Sequence, residues 1–419
     1  MAQAKSAVAE WRSYGLVPLV AALGYATSVL HIYSIGPFIE PLQNEFGWSR
    51  AQVSSGISIA AFASGLFCIP IGMLVDRVGP RRVGLIGVPL MAIAVARLGT
   101  ATGGGVNWMV LWGIAALGSL WVQATVWTSA VTSRFHASRG LALAITLSGA
   151  SVAATVFPIL ATWLIGNHGW RVAYMATSGI WAAIVFPLIF MFFHSARDEG
   201  RDRAVATPAA NPALKGLSLA EGLRTSALYK LLLASGLFTF TILAIVVHFV
   251  PILTDSGADP LAAAGIASLV GIFSIIGRLG AGFLLDRFPA HKVGAIIFLL
   301  PVIACTSLLV DGGSAVSQSL AAAIVGLTLG SEVDVMAYLA AKYFGLKNFG
   351  ALYGALLMAL SLGTALGPLA AGAVFDQYGS YALFLQWTMV LTTVSAVALL
   401  SLGSTPAADE ALEPGTGSG

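Results

Sequence analysis

The sequence predicts an all-α membrane protein, with twelve transmembrane helices arranged as two pseudo-symmetric six-helix bundles. Three observations predict it. Of 419 residues, 58% are hydrophobic and only 9% are charged, with a mean hydropathy of +0.88. A soluble domain carries roughly 25% charged residues to keep its surface wet, so most of this chain faces lipid. Twelve apolar segments reach the length of about 20 residues that a helix needs to cross a bilayer. The two halves of the chain also repeat each other at one constant offset.

Residues 1–12 are polar and lead into an apolar run over 14–38, too long for a signal h-region and without a small-residue cleavage site. That run is the first span. The others fall at 50–73, 83–102, 107–132, 139–165, 171–193, 228–252, 262–285, 292–311, 316–342, 348–374 and 380–402. Only helices satisfy every backbone group in lipid without closing a barrel. The longest connector, 194–227, is polar and charged. It divides the chain into an N-terminal bundle (1–193) and a C-terminal bundle (228–403), followed by a tail (404–419) rich in Ala, Pro, Gly and Glu that reads as disordered.

Basic residues set the orientation. With the N-terminus cytoplasmic, seventeen of the 21 Lys and Arg fall on the cytoplasmic side. Among them are Arg77, Arg81, Arg82, Arg134, Arg197, Arg201, Arg203 and Lys215; Arg50, Arg97 and Arg171 fall on the other side, and Arg278 lies inside a helix. The reading is a multi-pass protein of a bacterial inner membrane with both termini cytoplasmic. The net charge of +3 is small, and no basic cluster has the aromatic interleaving that nucleic acid needs. Cys68 and Cys305 lie inside apolar runs and read as small hydrophobes, with no disulfide inferred.

The halves repeat at an offset of 210 residues: Gly72 with Gly282, Asp76 with Asp286, Arg77 with Arg287, Gly140 with Gly350, Pro158 with Pro368, and Gly169 with Gly379. Paired halves that place a substrate site at their interface are a transporter architecture. No phosphate-binding loop or metal-ligating cluster is present, and the six histidines are scattered. Neither an enzyme nor a cofactor is expected.

After the second span comes Gly72-Met-Leu-Val-Asp76-Arg77-Val-Gly79-Pro-Arg81-Arg82, with a degraded copy, Gly282-Phe-Leu-Leu-Asp286-Arg287-Phe, after the eighth. Gly72 would allow close helix approach at the membrane edge. Asp76 can sit at the positive N-terminus of another helix, and Arg81 and Arg82 anchor the loop. The motif resembles the signature loop of the major facilitator superfamily over the whole twelve-helix length. The resemblance implies two bundles rocking about a central cavity. It makes Asp76, Arg77, Gly72, Arg134 and Asp286 gating residues, with the start of span 11 near Asn348 to Gly350 as the partner of Asp76.

Four further stretches narrow it: Phe46-Gly-Trp48-Ser-Arg50, His248-Phe-Val-Pro251, Gly277-Arg278-Leu-Gly-Ala-Gly282, and Gly330-Ser-Glu332-Val-Asp334 followed by Tyr343-Phe-Gly345. Together they resemble bacterial monocarboxylate transporters and the oxalate/formate antiporters. An arginine within a membrane helix costs several kcal/mol unless paired or hydrated. Arg278 stands roughly 12 Å inside span 8 at about 1.5 Å per residue, and its planar fork matches a carboxylate. In the resembled family the arginine at this place binds the substrate carboxylate. The structural alternative is an ion pair with Glu332 or Asp334.

Glu332 and Asp334, two residues apart, cannot share one helix face, so one is expected beside Arg278 and the other against solvent or another helix. A buried carboxyl can carry a proton, which makes both proton-coupling candidates. His248, His31 and Tyr33 join Arg278 as substrate-binding candidates, the histidines because imidazole binds an anion when charged and shuttles a proton when neutral. Trp121, Gln123 and Trp127 are expected to line the N-half wall or to face lipid and the interface belt. Gly149, Ser151, Gly354, Gly363 and Gly367 let helices approach closely, as a sliding seam or as static packing. Vertebrate members of the resembled family carry a lysine in span 1 and an acidic residue four positions before the span 8 arginine. Here span 1 has no lysine and that position is Ser274, which leaves proton symport and anion exchange both open.

The expected function is therefore secondary transport of a small organic anion, a monocarboxylate, by a monomer in the lipid bilayer. The alternatives are an exporter of amphiphilic compounds and a transporter-like solute sensor.

Overall fold

The computed structural model describes residues 2–195, 216–345 and 347–403. The expected tail, most of the connector, and Arg197, Arg201, Arg203 and Lys215 lie outside the described residues. Among the described residues the regular structure is all helical, with one isolated bridge, Gly216 with Gly345.

A polar helix, α1 (Ala2–Tyr14), precedes span 1, which is built from α2 (Leu16–Ser28), α3 (Leu30–Ser34), a 3-10 turn (Gly36–Phe38) and α4 (Ile39–Phe46). Span 1 thus runs past residue 38 to Phe46, and it is broken where the sequence reads as continuous. Span 2 is α5 (Arg50–Val78), opened by a Ser49/Gln52 capping box. Span 3 is α6 (Pro80–Leu98), and span 4 is α7 (Gly105–Leu120) followed by α8 (Ala124–Arg134). Next come α9 (Arg139–Leu147) and α10 (Gly149–Phe192).

The run from Arg139 to Phe192 covers 54 residues, roughly 80 Å of helix against a hydrocarbon core of about 30 Å. It must cross twice. The break is Gly169, whose φ of 76° and ψ of 161° no helical residue adopts. Its partner in the repeat, Gly379, ends span 11 with a φ of 66°. Spans 5 and 6 lie on either side of Gly169.

After the short α11 (Leu219–Arg224), the second half is more regular: α12 (Ser226–Asp255), α13 (Pro260–Leu285), α14 (Ala290–Asp311), α15 (Ala315–Phe344), α16 (Phe349–Tyr378) and α17 (Ala382–Leu400) form spans 7 to 12. Eight of the described helices are long and apolar enough to cross alone. Breaks in span 1, a bend near Pro70 in span 2 and the merger across Gly169 account for most of the difference from twelve.

One hydrophobic core gathers residues between Val17 and Phe193 with Val247, and a second gathers residues between Leu228 and Leu399. Glycines let bulky side chains into the first. Trp127 is fully buried against Gly24 and Gly84, and Trp121 lies against Gly87. Gln123 reaches the Ser64 carbonyl. The expectation that these residues line a cavity wall or face lipid is therefore corrected for Trp127, which fills the interior of its own half. Gly149 packs on Ala22, and Gly363 and Gly367 on the Phe240 region, each within its own half.

α1 is clamped to the loop between spans 4 and 5. The Glu10 carboxylate accepts from the backbone N–H groups of His136, Ala137 and Ser138 and from the Ser138 hydroxyl, at 2.8 to 3.1 Å. Desolvation, the largest single influence, works to raise its pKa. The four hydrogen bonds to the charged form outweigh it and bring the pKa down to about 2.

Candidate functional site

Three glycines build the site. Cβ atoms at Gly277, Gly326 and Gly330 would overlap the carbonyl oxygens of Leu327, Val270 and Ser274 respectively. Without them α13 and α15 lie backbone to backbone, and the Ser331 hydroxyl fastens them through the Gly277 carbonyl at 2.9 Å. Arg278 follows Gly277, and Asp334 stands about one turn beyond Gly330, so the close approach brings the two charges together.

The Arg278 Nη1 donates to both Asp334 oxygens, at 3.1 and 3.2 Å. The arginine side chain is 12% exposed and the aspartate 30%, and the Arg278 Nε is buried without an acceptor. Glu332, 2% exposed, turns to the Thr239 hydroxyl on α12. The expected division of the two carboxyls thus has specific partners: Asp334 takes the arginine and Glu332 takes a hydroxyl.

Three phenols stand within electrostatic range of Arg278: Tyr25 and Tyr33 from span 1, and Tyr353 from span 11. Tyr33 also borders a small cavity of about 20 Å³ between the halves, with Gly36, Ala154, Pro158, Phe249 and Val270 among its walls. Among the described residues, no charged one lines it.

The structure thus sets Tyr33 within electrostatic range of Arg278 and places the other two substrate candidates elsewhere. His31 is buried in the N-terminal half, edge-on to Trp112 at 6.0 Å, with its Nδ1 lacking a partner. His248 is fully buried in the seam between halves, toward the end of the molecule opposite the termini (the far end). Its Nδ1 lies 2.7 Å from the Tyr381 hydroxyl, and its Nε2 lies 2.9 Å from the Pro368 carbonyl and 3.2 Å from the Ser54 hydroxyl.

That seam holds the residues sequence reasoning missed. Arg50 pairs with Asp255 and bonds the Tyr381 hydroxyl, while Asp376 accepts from the backbone at the start of α5. Their signal was faint: Arg50 stands among the few basic residues on the far side and closes the Phe46–Arg50 stretch, while Asp255 and Asp376 lie just past the ends of the expected spans 7 and 11 and drew no reading. Further in, Ser58 donates to the Ala365 carbonyl, and Ser274 donates to Ser151 at 2.6 Å. Where the resembled family carries an acidic residue, this chain has a hydroxyl bridge between its halves.

At the terminal end, the end that carries α1, the picture differs. Among the described residues, and leaving aside each helix's own nearby backbone, nothing lies within 4 Å of a Cβ built on Gly72, Gly140, Gly282, Gly350 or Gly354. The expected close approach at Gly72 is absent from this conformation, because the halves meet along the far end and the middle. Asp76 and Arg77 are exposed at the end of α5, and Asp286 is exposed at the end of α13. Arg134 is buried, donating to the Ser195 carbonyl at 2.7 Å beneath the Tyr14 ring. Asn348 bonds the Leu217 carbonyl.

Comparison with known proteins agrees with this architecture. The chain is 27% identical over 369 residues to monocarboxylate transporter 13 of Rattus norvegicus, covering 83% of this chain and 79% of that one. It is 28% identical over 367 residues to a chloramphenicol resistance protein of Streptomyces lividans, covering 82% and 89%. The crystal structure of the nucleoside transporter NupG superposes with a TM-score of 0.72 at 14% identity, over 93% of this chain and 100% of that one. Residues 21–344 match the family model of the Major Facilitator Superfamily, and the chain belongs to that superfamily.

Proposed function

We propose that this transporter carries a small monocarboxylate by alternating access, with Arg278 as the anion anchor. The observation that carries the reading is the placement of Arg278: an arginine inside the bilayer, held by Asp334 through one nitrogen while Nε lacks an acceptor. A substrate carboxylate brought to the Nε–Nη2 edge meets a planar pair of donors. Tyr33 stands within electrostatic range of Arg278 and borders a small cavity of about 20 Å³ between the halves. Similarity to monocarboxylate transporter 13 supports the same class.

The two bundles, 1–193 and 228–403, act as the rocking bodies about the connector. The excess of basic residues at the terminal end makes that end cytoplasmic, so the conformation described is closed toward the outside. Glu332 is the favoured proton carrier, since a hydroxyl and not a cation holds it; anion exchange is the alternative that dispenses with it. Asp76, Arg77 and Asp286 act when the cytoplasmic ends meet.

A second reading has its own support. Arg278 and Asp334 together are neutral, which suits an uncharged amphiphile, and the chain resembles a chloramphenicol resistance protein. Thermal unfolding in detergent against monocarboxylates, dicarboxylates, neutral compounds and cationic drugs separates the two, because a ligand that binds only the folded state raises the midpoint. Stabilisation by monocarboxylates alone, lost in a folded Arg278→Gln variant, supports the first. Stabilisation by chloramphenicol-like compounds alone, retained in that variant, replaces it with the second.

A further inference from the structure

We propose that Arg50 is the gate residue of the far end, and that Asp255 and Asp376, both from the other half, hold it shut by two independent means. The first is the side chain: Nη1 and Nη2 grip the Asp255 carboxylate at 2.6 and 3.0 Å, and Nη1 also donates to the Tyr381 hydroxyl at 2.9 Å. The guanidinium carbon lies 3.5 Å from the centre of the Phe375 ring, and the residue is only 6% exposed.

The second is the backbone. A helix leaves its first N–H groups without partners, and an anion there is stabilised by the helix dipole. In α5 the Ser49 hydroxyl satisfies Gln52, while Asp376 accepts from the N–H groups of Arg50 and Ala51 at 2.8 and 2.9 Å. Part of the cap of span 2 is therefore supplied by span 11 of the opposite half. Gly372 makes the approach possible, since a Cβ there would press on the backbone of Arg50 and Ala51. Both ties exist only while the far end is closed. Parting the halves there breaks a half-buried ion pair and returns two helix N–H groups to water, so the cluster biases the protein toward its terminal-end-open state. The charged and titratable groups facing Arg50 are Asp255, Asp376, Tyr381 and, behind Tyr381, His248; Gln43 adds a neutral bond to Nε at 3.0 Å.

The inference rests on the transport cycle of the family and not on what is carried. It is tested on the full chain with Cys68→Ser and Cys305→Ser, and Ser54→Cys as reporter. Ser54 is fully buried one turn beneath Arg50. Labelling of the reporter by a soluble maleimide in detergent reads how often the far end opens. Arg50→Gln removes the half-buried Asp255 pair and the contact with the Phe375 ring together, so it is expected to raise the labelling rate about tenfold. Asp376→Asn leaves the Arg50–Asp255 pair in place and is expected to give a smaller rise, with Asp255→Asn between. Labelling at the parent rate in folded Arg50→Gln or folded Asp376→Asn protein overturns the proposal. If Arg50→Gln fails to fold, Asp376→Asn decides alone. A failed ligand screen leaves these rates untouched, so the two readings fail separately.

Discussion

Arg278 reaches both oxygens of Asp334 through a single nitrogen, Nη1, at 3.1 and 3.2 Å, and leaves its Nε without an acceptor. An arginine used only to neutralise a partner gains most from the two-nitrogen fork, the grip that Arg50 takes on Asp255 in the same protein.

That contrast yields the first prediction. Arg278→Gln should weaken monocarboxylate binding roughly 10- to 100-fold, the range of one hydrogen bond between charged groups, about 1.5–3 kcal/mol. Arg278→Lys keeps the charge but loses the planar fork and should fall between. Asp334→Asn should bind the anion at least as well as the parent, because it frees the arginine. Titration calorimetry measures all three, and equal losses in Arg278→Gln and Asp334→Asn would sink the anchor assignment.

Glu332 supplies the second. If it carries the coupled proton, Glu332→Gln should abolish acceleration of uptake by an inward pH gradient while exchange of internal for external substrate continues. The check is paired uptake and counterflow in liposomes. Gradient-driven uptake at the parent level would remove Glu332 from the coupling.

The third concerns packing. Gly330→Ala places a methyl group on the Ser274 carbonyl and must separate α13 from α15. Overpacking of this kind costs about 1–3 kcal/mol. The melting midpoint should fall, and substrate binding should fall with it, because Arg278 and Asp334 ride on the two separated helices. Gly282→Ala, which has open space around it, is the matched control and should change neither.

The fourth is a pH dependence at the N-terminal clamp. The pKa of Glu10 is lowered in the folded protein from the ordinary 4.5 to about 2. A depressed carboxyl contributes stability that is present above 4.5 and is lost as pH falls through about 2. Hydrogen exchange at the amides of His136, Ala137 and Ser138, corrected for intrinsic rates, should therefore accelerate between those values. Glu10→Gln should show the faster exchange already at pH 7. Flat protection across the window would mean that α1 is not held by this carboxylate.

Much of the fold was legible in the sequence because the bilayer imposes a strong, local rule. Backbone groups in lipid must be satisfied within one helix, so composition and segment length determined the membrane class and the helical spans, and six residue pairs at one offset marked the two-fold repeat; that its Gly169–Gly379 pair breaks or ends helices with positive φ came from the structure. Arg278 was legible for the same reason, since a charge inside an apolar run announces itself. Only the tertiary structure decided partnership. Whether Arg278 takes Glu332 or Asp334 depends on the rotation of span 10 against span 8, set by close packing at Gly277, Gly326 and Gly330. The separation of His248 from Arg278, and the convergence of Arg50 with Asp255 and Asp376 across more than 200 residues, depend on which ends of the halves meet. Those contacts join the two halves across a seam, and the one-dimensional periodicities of single helices carry no record of them.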